Sequence, residues 1–175
     1  MRKRITLKVA QKVLEVVDAG LSRGVGAPKP GHMCVEAAVC YAMGEPHNDA
    51  PRCVDDELRT LKIELNDMRG WKTKASRAKG LRRLAIAQLG SVDKLNIDEF
   101  YKGLDEICNK LKCQDFPHPT HGNVYDYTDR LWRHCARLWK SRKAREPFLM
   151  AVCEEVVQLL IKLKVPGTKF LYLTE

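Results

Sequence analysis

The stretch from Gly24 to Val54 restricts the fold of this chain more than any other part of the sequence. It contains three of the seven cysteines, two of the five histidines and four of the eight prolines. Its glycines and prolines exclude regular structure on both sides of a short apolar segment, residues 33–43. That segment is apolar on most sides, which is typical of a helix buried near the centre of a domain. We therefore predict a loop, a buried helix and a second loop.

Amphipathic helices are predicted on either side of this central segment. Apolar side chains recur at spacings of three and four in six further stretches, which end at capping or helix-breaking residues. The clearest apolar face consists of Ile97, Phe100, Leu104, Ile107 and Leu111. We expect Asn96 to cap that helix, Thr128 to cap the next one, and Pro147 to lie in the first turn of the last.

The sequence thus predicts a mostly α-helical protein, with about seven helices in one bundle that spans residues 1–175. A chain of 175 residues can bury one sizeable core. Pro166 and Gly167 should end the last helix. The following segment, residues 169–175, alternates weakly between apolar and polar side chains, so we expect a short edge strand or an extended tail there.

The composition indicates a basic protein of the cytoplasm. The chain has 31 Lys and Arg against 22 Asp and Glu, a net charge of +9, which favours an anionic partner such as nucleic acid, a phosphorylated ligand or an acidic protein surface. The seven cysteines are odd in number and form no CxxC pair, which is more typical of reduced thiols than of a disulfide framework. We see neither a signal peptide nor a membrane-spanning stretch, and expect no membrane contact.

Two long segments lack acidic residues, namely residues 68–92 and 130–145. In both, basic residues alternate with an apolar stripe, so we expect outward basic faces of the kind that bind phosphate groups. Trp71 lies between basic residues, where its ring could stack on a base, whereas Trp132 and Trp139 lie on the apolar stripe and should belong to the core. The predicted ligand-binding residues are Arg69, Trp71, Lys72, Lys74, Arg77, Arg82, Arg83, Arg133, Arg137 and Lys140.

A cysteine-dependent hydrolase or transferase is the alternative hypothesis. Cys34 follows a glycine-rich loop at the predicted start of a helix, where backbone N–H groups lower the pKa of a thiol. His118, His121 or His134 would serve as the base, as in other thiol enzymes. An orienting carboxylate or amide would come from Asp126 or Asn123.

Metal binding has weaker support from the spacing of the candidate ligands. His32, Cys34, Cys40, His47 and Cys53 are near one another in sequence. The close cysteine pair of small zinc modules is missing, and Cys40 lies nearly opposite Cys34 on the helix. Only His47 and Cys53, joined by a residue of the loop around His118–His121, leave a site open. We expect purified protein without metal or cofactor.

Glu36 is the one charged residue in the apolar segment, so its carboxylate must find a partner or shift its pKa. We expect an arginine from one of the basic helices. The sequence contains neither a GxxxxGK[ST] nor an HExxH motif.

The segment MCVEAAVCYAMGEPHNDAPRCV, together with KGLRRLAIAQLGS (Lys79–Ser91), resembles a pattern in uncharacterised bacterial and phage open reading frames. The resemblance covers roughly residues 20–91. It implies a prokaryotic or phage setting and a shared central segment, but no activity, ligand or catalytic residue.

We therefore favour a non-enzymatic protein that binds an anionic partner. The Cys34 enzyme is one alternative. A protein–protein adaptor or inhibitor, such as a phage accessory factor that binds an acidic host surface, is the other.

Overall fold

Seven α-helices form the described part of the chain, followed by a 3₁₀ helix. The computed structural model describes residues 4–113, 123–138 and 141–175. The helices are α1 (Leu7–Asp18), α2 (Val35–Met43), α3 (Asp56–Asp67), α4 (Lys74–Ala87), α5 (Ile97–Lys110), α6 (Val124–Arg137) and α7 (Arg142–Lys162), and the 3₁₀ helix covers Pro166–Thr174. The mostly helical bundle predicted from the sequence is confirmed.

One continuous hydrophobic core holds the helices together. Helix α4 packs against α1, α2, α7 and the 3₁₀ helix, while α3 packs on α6, and α5 packs on α6 and α7. Seven of the nine residues of α2 are buried, which confirms the central buried helix. On α5, Phe100, Leu104 and Ile107 are buried, and Ile97 and Leu111 pack against the core at its edge.

Side chains at the helix starts explain most of the boundaries. Asn96 Oδ1 accepts from the Glu99 N–H at 3.2 Å, as expected. Helix α6 begins earlier than predicted, because Asn123 Oδ1 accepts from the Tyr125 N–H at 3.0 Å. Thr128 therefore lies inside α6. Pro147 likewise lies inside α7, which already begins at Arg142.

The predicted C-terminal strand or extended tail is wrong. Residues 166–174 form 3₁₀ turns in which Phe170 and Leu171 are buried. Gly167 lies so close to the end of α4 that a Cβ atom there would be 2.7 Å from the backbone N of Leu89. Packing against α4 therefore decides the conformation of this segment.

Candidate anion-binding site

A cavity of about 360 Å³ opens between α6, α7 and two loops. Its lining residues are Arg23, Arg69, Trp132, Cys135, Ala136 and Arg145. The volume lies in the range of small-ligand pockets, about 300–1,000 Å³. Three of the six lining residues carry a positive charge and none carries a negative one. We call this cavity the arginine pocket.

The three arginines come from separate parts of the chain. Arg23 lies in the loop after α1, Arg69 in the connector between α3 and α4, and Arg145 in α7. Arg23 and Arg69 are exposed, and neither forms an ion pair within the described ranges. Their guanidinium groups are therefore well placed to meet a ligand from solvent.

Arg145 is 7% exposed and connects the walls of the pocket. Its Nη1 donates to the backbone oxygen of Arg69 at 3.2 Å, and its Nε donates to the Leu138 oxygen at 3.4 Å. Gly70 permits the close approach of the connector to α7, since a Cβ atom there would lie 2.5 Å from Leu149 Cδ1. Arg145 thus holds Arg69 at the pocket through the main chain.

Helix α6 supplies the aromatic wall. The Trp132 ring is half-buried, and its Nε1 donates to Glu64 Oε2 at 3.1 Å. Cys135 is buried beside it, and burial raises the pKa of its thiol against the opposing charge of Arg145. The nearby Asp67 carboxylate is engaged, because its Oδ1 accepts from the Gly24 N–H at 2.9 Å. Neither Glu64 nor Asp67 is among the described lining residues, whose charged groups are the three arginines.

Arg77 does not lie on an outward basic face, contrary to the prediction. It is 7% exposed. Its Nε donates to the Asn66 oxygen at 2.9 Å and its Nη1 to the Leu21 oxygen at 2.8 Å. Burial lowers the pKa of the guanidinium. Arg77 thus ties α4 to the loop after α1 and to the end of α3.

Carboxylates or carbonyls engage most of the remaining basic candidates. Arg82 forms two hydrogen bonds with Asp18, at 2.7 and 3.1 Å, and Arg83 Nε lies 3.2 Å from Glu154 Oε2. The other pairs are Lys72 with Glu146, Lys74 with the Gly31 oxygen, and Arg133 with Asp129. The acid-free stretches of sequence therefore do not give acid-free surfaces.

Trp71 is not placed to stack on a nucleic-acid base. Its ring is half-buried against Gly80, and its Nε1 donates to the Leu65 oxygen at 2.9 Å. Arg137 is exposed on α6. Lys140 and Trp139 lie outside the described residues. Of the predicted ligand-binding residues that the structure describes, Arg69 alone lines the arginine pocket.

Sequence reasoning missed Arg23, and it assigned Trp132 to the core. Trp132 does pack partly against the core, but it also faces the pocket. Arg145 belongs to the second acid-free stretch, which was the one available signal. Arg23 has no basic residue next to it in the sequence and precedes a glycine-rich turn, so no charge pattern indicates a binding role for it.

Cys34 caps α2, as its position in the sequence suggested. Its Sγ accepts from the Ala37 N–H at 3.4 Å. The thiol is 4% exposed, and burial raises its pKa to about 11, the opposite of the expected shift. His118 and His121 lie outside the described residues. The ring of His134 packs against the Phe148 ring, tilted by 33° at a centroid distance of 4.6 Å, and burial lowers the pKa of His134.

The metal candidates His47 and Cys53 have other contacts. His47 Nε2 donates to the Gly26 oxygen at 3.0 Å. Cys53 is buried, which raises the pKa of its thiol to about 11. Within the described ranges, no three His, Cys, Asp or Glu side chains gather as metal ligands would.

Glu36 has a different partner from the expected arginine. Its Oε1 lies 3.1 Å from Lys62 Nζ of α3, and Gln88 Nε2 donates to its Oε2 at 3.2 Å. All three side chains are completely buried. Burial raises the pKa of Glu36 and lowers that of Lys62, and in both cases the charge of the partner opposes the shift. The pair joins α2 to α3 inside the core.

Comparisons of this chain with protein-family models, with curated proteins and with solved structures found no match. The resemblance to bacterial and phage reading frames therefore stays a prediction. Among the helices in the described ranges, none combines the length and the apolar character needed to cross a bilayer.

Proposed function

We propose that this protein binds a small phosphorylated ligand in the arginine pocket, without catalysing a reaction. The observation that carries the proposal is the convergence of Arg23, Arg69 and Arg145 on one cavity, in which none of the described lining residues is an acid. Guanidinium groups bind phosphate oxygens in a planar, bidentate manner. Trp132 offers a ring surface on which an aromatic or sugar group of the ligand can pack.

The described surface favours a small ligand over a nucleic-acid strand. A strand needs a continuous row of available cations along its phosphates. On α4, Arg77 is buried, Arg82 is paired with Asp18 and Arg83 with Glu154. The pocket, by contrast, concentrates its charge at one point.

The two alternative functions have less support from the described residues. A thiolate at Cys34 is disfavoured because burial raises the pKa of this thiol to about 11. No feature of the described surface specifically supports the adaptor hypothesis.

Titration calorimetry at low salt would test the proposal, with inorganic pyrophosphate and nucleoside phosphates as ligands and uncharged nucleosides as controls. We expect the phosphates alone to bind. Hydrogen bonds to charged groups contribute about 1.5–3 kcal/mol, so Arg69→Gln and Arg23→Gln should each weaken binding roughly ten- to a hundredfold. Arg52→Gln is the matched control, since Arg52 is an exposed arginine that does not line the pocket.

Two results would refute the proposal. One is the absence of binding to every phosphate compound by wild-type protein at low salt. The other is binding that falls equally in the Arg52→Gln protein, which would indicate general surface charge. A single-stranded oligonucleotide serves as a second probe. Oligonucleotide binding that both pocket variants leave unchanged would favour the nucleic-acid alternative instead.

A further inference from the structure

The last turn of α5 brings two cysteines together. Lys112 has a left-handed backbone with φ of 56°. The Lys112 N–H donates to the Asn109 oxygen at 3.0 Å, and the Cys113 N–H donates to the Cys108 oxygen at 2.8 Å. These two bonds define a Schellman motif, in which the side chains at the positions of Cys108 and Cys113 usually touch. In most proteins those two positions hold apolar side chains, but here both hold thiols.

The Schellman turn brings the side chains of Cys108 and Cys113 toward each other. The interaction between the two thiols lowers the pKa of Cys113 and raises that of Cys108, so Cys113 carries the more stable thiolate of the pair. The nearby Arg130 guanidinium also favours the thiolate form of both. Arg130 is held in place by Asp105 at 2.7 Å and Asn109 at 3.0 Å, both residues of α5.

Cys113 differs from the other six cysteines because its pKa is lowered, whereas theirs are raised. All seven are free thiols. Burial is the main cause of a raised pKa in five of them, and the interaction with the Cys113 thiol is the main cause in Cys108. The five are Cys34, Cys40, Cys53, Cys135 and Cys153. Thiolates are the nucleophiles of thiol–disulfide exchange, so Cys113 is the thiol best suited to begin it.

We propose that Cys108 and Cys113 are a redox modification site that closes to a reversible intramolecular disulfide. The oxidant is a low-molecular-weight disulfide such as oxidised glutathione. The Cys113 thiolate attacks one sulfur of that disulfide, which forms a mixed disulfide and releases one glutathione thiolate. Cys108 then loses its proton to solvent and attacks Cys113 Sγ, which releases the second glutathione. One glutathione disulfide is thereby reduced as the two protein thiols are oxidised.

The backbone already has the closed turn that such a bond requires. Four residues separate the cysteines, and their main chains are joined by the 2.8 Å hydrogen bond, so closure to an S–S length of about 2.05 Å needs mainly side-chain rotation. Cys113 is 4% and Cys108 is 1% exposed. The reagent must therefore wait for a brief opening of this helix end, and oxidation should be slower than for a free thiol.

Peptide mapping of the folded full chain would test the proposal. The protein is incubated with oxidised glutathione, its remaining thiols are blocked with N-ethylmaleimide, and tryptic peptides are identified by mass spectrometry. Trypsin cuts after Lys110 and Lys112, which places the two cysteines on separate peptides. We expect the peptide GLDEICNK to be linked to the peptide that begins at Cys113, and dithiothreitol to separate them.

Single substitutions distinguish the roles of the two thiols. Cys108→Ser should retain a glutathione adduct at Cys113, because the resolving thiol is gone. Cys113→Ser should form neither adduct nor link, while the control Cys153→Ser should give the wild-type yield. Wild-type mapping decides the matter even where a serine variant folds poorly. Unmodified thiols at both positions, or a preferred link between other cysteines, would overturn the proposal.

Discussion

Replacing Lys62 with methionine should make the stability of the protein depend measurably on pH, because Glu36 then stays buried without its partner. The two charged atoms are 3.1 Å apart and completely buried. At an effective dielectric constant of about 20, their attraction is roughly 5 kcal/mol. Lys62→Met removes this attraction and leaves the Glu36 carboxylate in the core. The loss of one partner of a buried pair typically costs about 3–5 kcal/mol.

Protonation limits that cost and makes it depend on pH. Protonating a glutamate with an ordinary pKa of about 4.3 costs about 3.7 kcal/mol of free energy at pH 7, because each pH unit above the pKa adds about 1.4 kcal/mol. Burial without Lys62 holds the pKa of Glu36 above its unfolded value, so the folded state binds more protons and stability falls as pH rises. We expect Lys62→Met to cost about 3–4 kcal/mol at pH 7 and about 1 kcal/mol at pH 5.

Urea unfolding followed by circular dichroism at several pH values would measure this effect. Lys102→Met is the matched control, because Lys102 is an exposed lysine on α5, and it should change stability by less than about 0.5 kcal/mol. Glu36→Gln in the Lys62→Met background should recover most of the loss at pH 7, since Gln88 retains an acceptor. A cost below about 1 kcal/mol at pH 7, or one that does not change with pH, would refute this reasoning.

Two further predictions concern the core and the basic residues. Leu104→Ala on α5 should reduce the free energy of unfolding by about 2–5 kcal/mol, because Leu104 is 1% exposed. A loss below about half a kcal/mol in urea unfolding would contradict the burial of this face. Arg77→Gln leaves two buried carbonyl oxygens without their donor and should lower the free energy of unfolding by about 1–3 kcal/mol for each. Arg82→Gln breaks only a partly exposed pair with Asp18 and should lower it by less than about 1 kcal/mol. Equal thermal stability of the two variants would contradict this prediction.

Local patterns were sufficient to predict the helices of this fold. Apolar residues at helical spacing and capping side chains such as Asn96 act within a few residues, so the sequence displays them directly. The C-terminal segment was missed for the opposite reason. Seven residues with weak alternation are compatible with a strand, and only contact with α4 at Gly167 favours 3₁₀ turns.

The charge pattern misled because ion pairs form across the fold. Arg82 lies in a stretch without acids, yet Asp18, 64 positions away, neutralises it. Arg77 looked like a surface cation and is instead a buried donor to main-chain oxygens. The arginine pocket has the same origin, since Arg23, Arg69 and Arg145 meet only after α6 and α7 are in place. A sequence shows which cations exist but not which of them remain available.

The packing around α4 also has a consequence for biosynthesis. Helix α4 is covered on one side by α1 and on another by the 3₁₀ helix, and these two elements also contact each other. At Gly90, a Cβ atom would lie 3.3 Å from Pro166 and 3.5 Å from Ile5. Contacts between such distant segments close late in folding. A nascent chain on the ribosome therefore exposes apolar α4 surface until residues 166–174 have emerged, and during that interval chaperones compete with aggregation for the unfinished core.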